Sequence, residues 1–247
     1  MKFYLRLPYF LHKPSEGLPN LLFLHGIGEA FITLKEPIRQ DDGTIQLGQI
    51  GHKNILQQGP PKFLEMGQDH AEGLTENHPL WGRFTVIAPQ LPDRETPWSH
   101  VTDDVKQIVS GHPAEKLYIV GFSKGGLGTF QLAAALNANA LVTIDASPMD
   151  DKPDDAVAKW VAPLGELPFW AIHTNYVPKE KFEKIKLFNE GLKKSEHKDL
   201  STEPAPNSQS RLFVDPPSNK MTQIERHVWI CDQVTKNAAP FEWLLKH

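Results

Sequence analysis

The chain has 247 residues, 40% of them hydrophobic and 23% charged, with 26 basic against 30 acidic side chains and a formal charge of −4. That composition excludes a disordered chain, and the mild charge gives no electrostatic reason to expect a nucleic acid or another polyanion as partner. The 17 glycines and 21 prolines stay below the roughly 25–30% share that marks low complexity, and the single cysteine, Cys231, excludes an internal disulfide.

Taken in chain order, residues 3–7 alternate loosely and suit an edge strand. Residues 21–24 (Leu-Leu-Phe-Leu) form a short continuous apolar run that stops at His25-Gly26. Similar runs follow at 84–88, closed by Pro89, at 117–120, closed by Gly121, at 141–144, ending at Asp145, and at 169–172, ending at His173. Residues 211–214 supply a last one. Runs of this length without alternation fit strands covered on both faces of a parallel sheet. Helical patterns lie between them, at 101–109, 126–137 and 182–192, with a terminal docking helix at 241–245. Strand and helix alternate, so the fold class is α/β, a mostly parallel central sheet with helices on both faces. One domain over 1–247 is expected, interrupted by long loop insertions near 33–80 and 193–220. No stretch approaches the roughly 18 apolar residues needed to span a bilayer. The N-terminal residues lack an uninterrupted apolar run and a small-residue cleavage site, so a cytoplasmic location is expected, with export of a processed precursor left open.

Gly121-Phe122-Ser123-Lys124-Gly125 matches G-x-S-x-G, a short pattern that also arises by chance. Its setting makes it specific, because a buried-type strand precedes it and an Ala- and Leu-rich helical pattern follows. A strand–turn–helix elbow exposes the serine, and small residues two positions either side let the turn close. Ser123 then stands at a helix N-terminus, where dipole and unpaired N–H groups favour developing negative charge. The bland alternative is a glycine-rich turn without chemistry. His25-Gly26-Ile27-Gly28 follows the earlier strand 21–24 and is placed to supply a second backbone N–H, so Ile27 and Lys124 are the expected oxyanion-hole donors. A histidine is needed after the last strand. Of the 11 in the chain, His227 is placed there, and His173, at a strand end, is its rival.

These segments together resemble α/β-hydrolase serine esterases, particularly the phospholipase/carboxylesterase and predicted-peptidase/feruloyl-esterase-like branch. The resemblance runs through Phe23-Leu24-His25-Gly26-Ile27-Gly28-Glu29, Gly59-Pro60-Pro61-Lys62, Val86-Ile87-Ala88-Pro89-Gln90-Leu91-Pro92 with Trp98, the elbow itself, His227-Val228-Trp229 and Trp243-Leu244-Leu245. It implies a Ser–His–acid triad, Ser123 as nucleophile and His227 as base. Such families usually carry the acid a few residues before a Val-Pro, after a strand ending in His-Gly. Here that segment reads His173-Thr174-Asn175-Tyr176-Val177-Pro178 and holds no acid. Asn175 is the topological substitute, and Asp145, after the preceding strand, is the alternative acid. Both stay open, with Asp150, Asp151 and Asp215 as further options.

The expected activity is cleavage of carboxylic esters through an acyl-enzyme on Ser123, without metal or organic cofactor. A small-molecule ester is the expected partner, with no nucleic acid and no membrane span, the chain being a monomer or homodimer. Phe122, Trp98 and Tyr176 would line the site and favour an apolar or aromatic acyl group. The lysine-rich stretch 179–198 suits a solvated helix face, with an anionic surface as its other reading. A peptidase or thioesterase on the same machinery, or a degenerate hydrolase fold that only binds, are the competing readings.

Overall fold

The apolar runs of the sequence become the central strands of one sheet. The computed structural model describes residues 7–30, 54–68, 74–146, 164, 166–174, 214, 217 and 220–247, together with the backbone of 32–33, 38–39, 45–46, 49–50, 194–197 and 209–213. The sheet strands are β1 (Tyr9–His12), β2 (Asn20–Leu24), β3 (Thr85–Pro89), β4 (Leu117–Phe122), β5 (Ala140–Ile144), β6 (Phe169–Thr174), β7 (Lys194–His197) and β8 (Gln209–Val214). The helices are α1 (Gly59–Met66), α2 (Thr102–Ser110), α3 (Lys124–Leu136), α4 (Gln223–Lys236) and α5 (Ala238–Leu244). Spatial order across the sheet is β1-β3-β2-β4-β5-β6-β8-β7. Every pairing is parallel except β1 against β3.

Burial follows from that order. Every residue of β2, β3, β4, β5 and β6 is buried, whereas the antiparallel β1 alternates between exposed and half-buried residues. Side-chain alternation splits the core in two. Leu21, Phe23, Val120, Val142 and Trp170 face one side, under α1, α4 and α5, with Phe63, Ile230, Val234 and Trp243 packed on them. Leu22, Leu24, Ile119, Leu141 and Ala171 face the other, under α2 and α3, with Val105, Ile108 and Phe130. Fully burying an aliphatic side chain contributes about 1.5–3 kcal/mol, so these two layers carry the fold.

The helix starts are readable locally. Asp103 and Asp104 sit in the first turn of α2, where they favour the dipole. Thr222 and Glu225 close a capping box on α4, the Thr222 side chain accepting from the Glu225 N–H and the Glu225 carboxylate accepting from the Thr222 N–H. Asn237 caps α5 by accepting from the Ala239 N–H at 2.9 Å.

Several expectations are corrected. An edge strand lies at Tyr9–His12, and of the expected strand at 3–7 residues 3–6 are outside the described residues. Residues 194–197, expected as the tail of a lysine-rich helix, instead pair with β8 as the parallel strand β7. The exposed edge of β8 offers hydrogen bonds that outweigh weak local helix preference. The helix at 182–192 lies outside the described residues. The stretch 33–80 is not structureless, since it holds α1, entered with prolines in its first turn, and two short antiparallel ribbons.

Candidate active site

Ser123 stands between β4 and α3 with φ 56° and ψ −118°, a left-handed conformation that L-residues avoid. The turn closes because its flanking positions are glycines. A Cβ on Gly121 would sit 2.2 Å from the Gly125 carbonyl oxygen, and one on Gly125 would sit 1.8 Å from that of Leu24. The Ser123 N–H donates to the Ile144 carbonyl at 2.8 Å, while its own carbonyl accepts from Gly126 and Leu127 N–H. The serine is thereby tied to β5 on one side and to the first turn of α3 on the other.

One strand over, Asp145 ends β5 with φ 47°. Its N–H donates to the Ile172 carbonyl at 2.7 Å, which anchors it to β6. Both carboxylate oxygens are engaged. Oδ1 accepts from the Thr174 N–H at 3.1 Å and the Thr174 hydroxyl at 3.2 Å. Oδ2 is 2.6 Å from His227 Nδ1. A carboxylate only accepts, so Nδ1 carries the hydrogen and the Nε2 lone pair is left to act as a base.

His227 arrives from a separate element, the second turn of α4. Its ring lies on Phe122, the residue before the serine, with centroids 4.7 Å apart and planes tilted by 35°. Ser123, Phe122, His227 and Asp145 therefore form one cluster at the carboxyl ends of β4 and β5. Among the described residues no hydrogen bond joins the Ser123 hydroxyl to the imidazole. Such bonds are often long in unliganded sites and tighten with substrate.

The loop after β2 reaches the same place. Ile27 lies in a one-turn 3₁₀ segment (Ile27–Glu29) and is 50% exposed, and Lys124 opens α3, where first-turn N–H groups have no partner within the helix. Two side chains hold the loop from below. His25 donates through Nδ1 to the Gly26 carbonyl at 2.6 Å and accepts through Nε2 from the Leu91 N–H at 2.9 Å. Gln90 Nε2 donates to the Glu29 carbonyl at 2.8 Å. Burial pushes the His25 imidazole down to about 4, with the nearby Lys124 charge acting in the same direction, so it stays neutral in one tautomer. Lys124 Nζ donates to the Arg94 carbonyl. Burial lowers this ammonium below its ordinary range, against the opposing charges of Asp93 and Glu95.

Of the expected site residues, the structure brings Ser123, His227, Asp145, Ile27 and Lys124 to one end of the sheet. Asn175 and Tyr176 lie outside the described residues, as do Asp150, Asp151 and Asp215. His173 is buried in β6. Trp98, expected to line the site, is 1% exposed and packs edge-on against His25 and on α3 at Gly128, so it supports the loop from within. Sequence reasoning missed the side chains of His25, Gln90 and Thr174, each of which has a hydrogen-bond partner distant in the chain. Among the described residues no group of three His, Cys, Asp or Glu side chains could hold a metal ion, and no helix is long and apolar enough to cross a membrane.

No protein-family model and no curated protein sequence matches the chain. Solved structures do. A membrane phospholipase A, described as a bacterial virulence factor, is similar at 14% identity over 96% of this chain and 81% of its own, with a TM-score of 0.50. A lipase-esterase related protein from Clostridium acetobutylicum shares 14% identity over 96% and 98% of the two chains, with a TM-score of 0.48. An α/β serine hydrolase without a lid from Xanthomonas campestris shares 12% over 94% and 85%, with a TM-score of 0.45. The strand order, the single antiparallel edge strand and the turn after β4 are those of an α/β-hydrolase fold, and this is the fold of the chain.

Proposed function

We propose that the protein is a serine hydrolase that cleaves carboxylic esters through an acyl-enzyme. The observation that carries this reading is the 2.6 Å contact between His227 Nδ1 and Asp145 Oδ2, beside a serine in strained left-handed geometry. In this reading His227 Nε2 takes the Ser123 proton as Oγ attacks the ester carbonyl, and Asp145 stabilises the resulting imidazolium. The Ile27 and Lys124 N–H groups hold the oxyanion, at the start of α3 where the helix dipole adds to them. When the tetrahedral adduct collapses, His227 returns the proton to the leaving alcohol. Water then repeats the sequence, adding to the acyl carbonyl as His227 accepts its proton, and releases the carboxylic acid and the restored serine.

Asp145 is the third member in this reading, and the amide of Asn175 is not required. A carboxylate on Nδ1 also removes the main motive for a degenerate, binding-only protein, which was the missing acid before Val177-Pro178. The test is Ser123→Ala, with hydrolysis of p-nitrophenyl esters and labelling by a fluorophosphonate as readouts. Both are expected to disappear. Undiminished ester turnover in the variant would overturn the proposal, and a panel of ester, thioester and peptide substrates would separate the three acyl-transfer activities.

A further inference from the structure

The two N–H groups assigned to the oxyanion come from different elements, Ile27 from the loop after β2 and Lys124 from the start of α3. The roots of these elements touch, since a Cβ on Gly125 would lie 2.6 Å from the His25 carbonyl oxygen. Beyond that contact, both are held by one short segment, the residues that follow β3. The Leu91 N–H donates at 2.9 Å to Nε2 of His25, two residues before Ile27. Three residues after Leu91, the Arg94 carbonyl accepts from Lys124 Nζ at 2.5 Å.

The segment is itself anchored at both ends. At its start the Gln90 N–H donates to the Pro8 carbonyl at 2.8 Å, and the Gln90 side-chain amide donates to the Glu29 carbonyl at 2.8 Å. At its end Trp98 is buried between His25 and α3, where a Cβ on Gly128 would lie 2.5 Å from the indole ring. Between them, Asp93 Oδ1 accepts from the Glu95 N–H at 2.8 Å, the Thr96 N–H at 2.6 Å and the Thr96 hydroxyl at 2.8 Å. The turn that presents the Arg94 carbonyl is thus closed by its own bonds, although residues 92–95 are exposed. None of these bonds involves Ser123, His227 or Asp145.

We propose that the Lys124 side chain is a positioning group. By holding the Arg94 carbonyl it makes Leu91–Arg94 a brace across the two loops, and the brace fixes the Ile27 and Lys124 N–H groups relative to one another. The inference rests on the acyl-enzyme reading, in which those two groups receive the oxyanion. A hole whose donors drift apart loses hold of the tetrahedral adduct while the bound ester is little affected, because the full negative charge exists only after attack.

Lys124→Met keeps the backbone N–H and much of the side-chain length but has no donor. It is expected to lower kcat about tenfold with KM within about twofold. Phenylboronic acid, whose serine adduct places an oxygen where the oxyanion forms, is expected to bind about tenfold more weakly. Lys124→Arg, which keeps a cationic donor, is expected to recover most of both losses. Asp93→Ala opens the turn and leaves the ammonium in place, and is expected to lower kcat about threefold. Hydrogen exchange across 91–97 and 25–29 needs no turnover and is expected to quicken in Lys124→Met. Unchanged kcat and boronate affinity in a folded Lys124→Met would overturn the brace. So would a loss in Lys124→Met beside full turnover in a folded Asp93→Ala, which would assign the effect to the charge of the ammonium. Undiminished turnover in Ser123→Ala would sink the hydrolase reading instead, and quickened exchange in Lys124→Met would then still uphold the tie between the loops.

Discussion

Asparagine at position 145 probes the proposed relay where the structure constrains it most. The Thr174 N–H and hydroxyl both donate to Oδ1, so in Asp145→Asn they hold the amide oxygen there and turn the amide NH₂ towards His227. Nδ1 must then accept, and the ring hydrogen moves to Nε2, the atom that has to take the serine proton. The base is lost without any change of shape. Stabilisation of the imidazolium is lost with it. The same substitution in a Ser–His–Asp system of another fold costs about 10⁴ in turnover. Here it is expected to lower kcat about 10⁴-fold, or about 5.4 kcal/mol of barrier, with a melting temperature close to that of the wild type. Initial rates on p-nitrophenyl butyrate between pH 6 and 9, beside thermal melts, measure both. Activity of Asp145→Asn within about tenfold of wild type would refute the argument that Asp145 sets the tautomer.

Two further outcomes concern stability. The His25 imidazole ionises near 4 when folded and near 6.5 when unfolded, so between those values the unfolded chain binds the extra proton. Stability is therefore full above about pH 6.5 and falls as pH drops towards 4, by about 2 kcal/mol between pH 7.5 and 5. Buried His78, also pushed down to about 4, acts in the same direction. Urea unfolding at the two pH values checks this, and a curve flat over that range would contradict it. Thr222→Ala opens the capping box at the start of α4 and is expected to cost about 1 kcal/mol. Because His227 is only five residues on, it should also lower kcat. Urea midpoints and initial rates on the one variant decide it, and a destabilised variant with full kcat would show that the cap does not steer the histidine.

Much of this arrangement is legible in the sequence. Continuous apolar runs identified β2 to β6, because strands covered on both faces need no alternation. The elbow was legible because its glycines answer a local demand, room for a carbonyl of the next turn and of the next strand. Asp145 is legible in the sequence as one candidate acid among several, since its contacts with Thr174 and His227 are tertiary. Helix α4 escaped notice because Arg226, His227, Val228 and Trp229 look equally plausible in a loop. The signal that could have found it, Thr222 three residues before Glu225, is the capping box itself. Glu29 was even less legible, as a carboxylate beside glycines ordinarily points to water. Its burial comes from the fold of one short loop onto Phe122.

Ser123 and Asp145 follow neighbouring strands joined by ladder hydrogen bonds, Ser123 N–H to Ile144 and Asp145 N–H to Ile172. Their spacing is a property of the sheet and persists as long as the sheet does. The histidine alone comes from outside, on a helix seated by Ile230, Cys231 and Val234 and tethered to α1 by the Lys62–Asp232 ion pair. Assembly of the site is thus the docking of one helix on a finished platform. For the proposed hydrolase, the seating of this one helix on the sheet decides whether the histidine meets its partners.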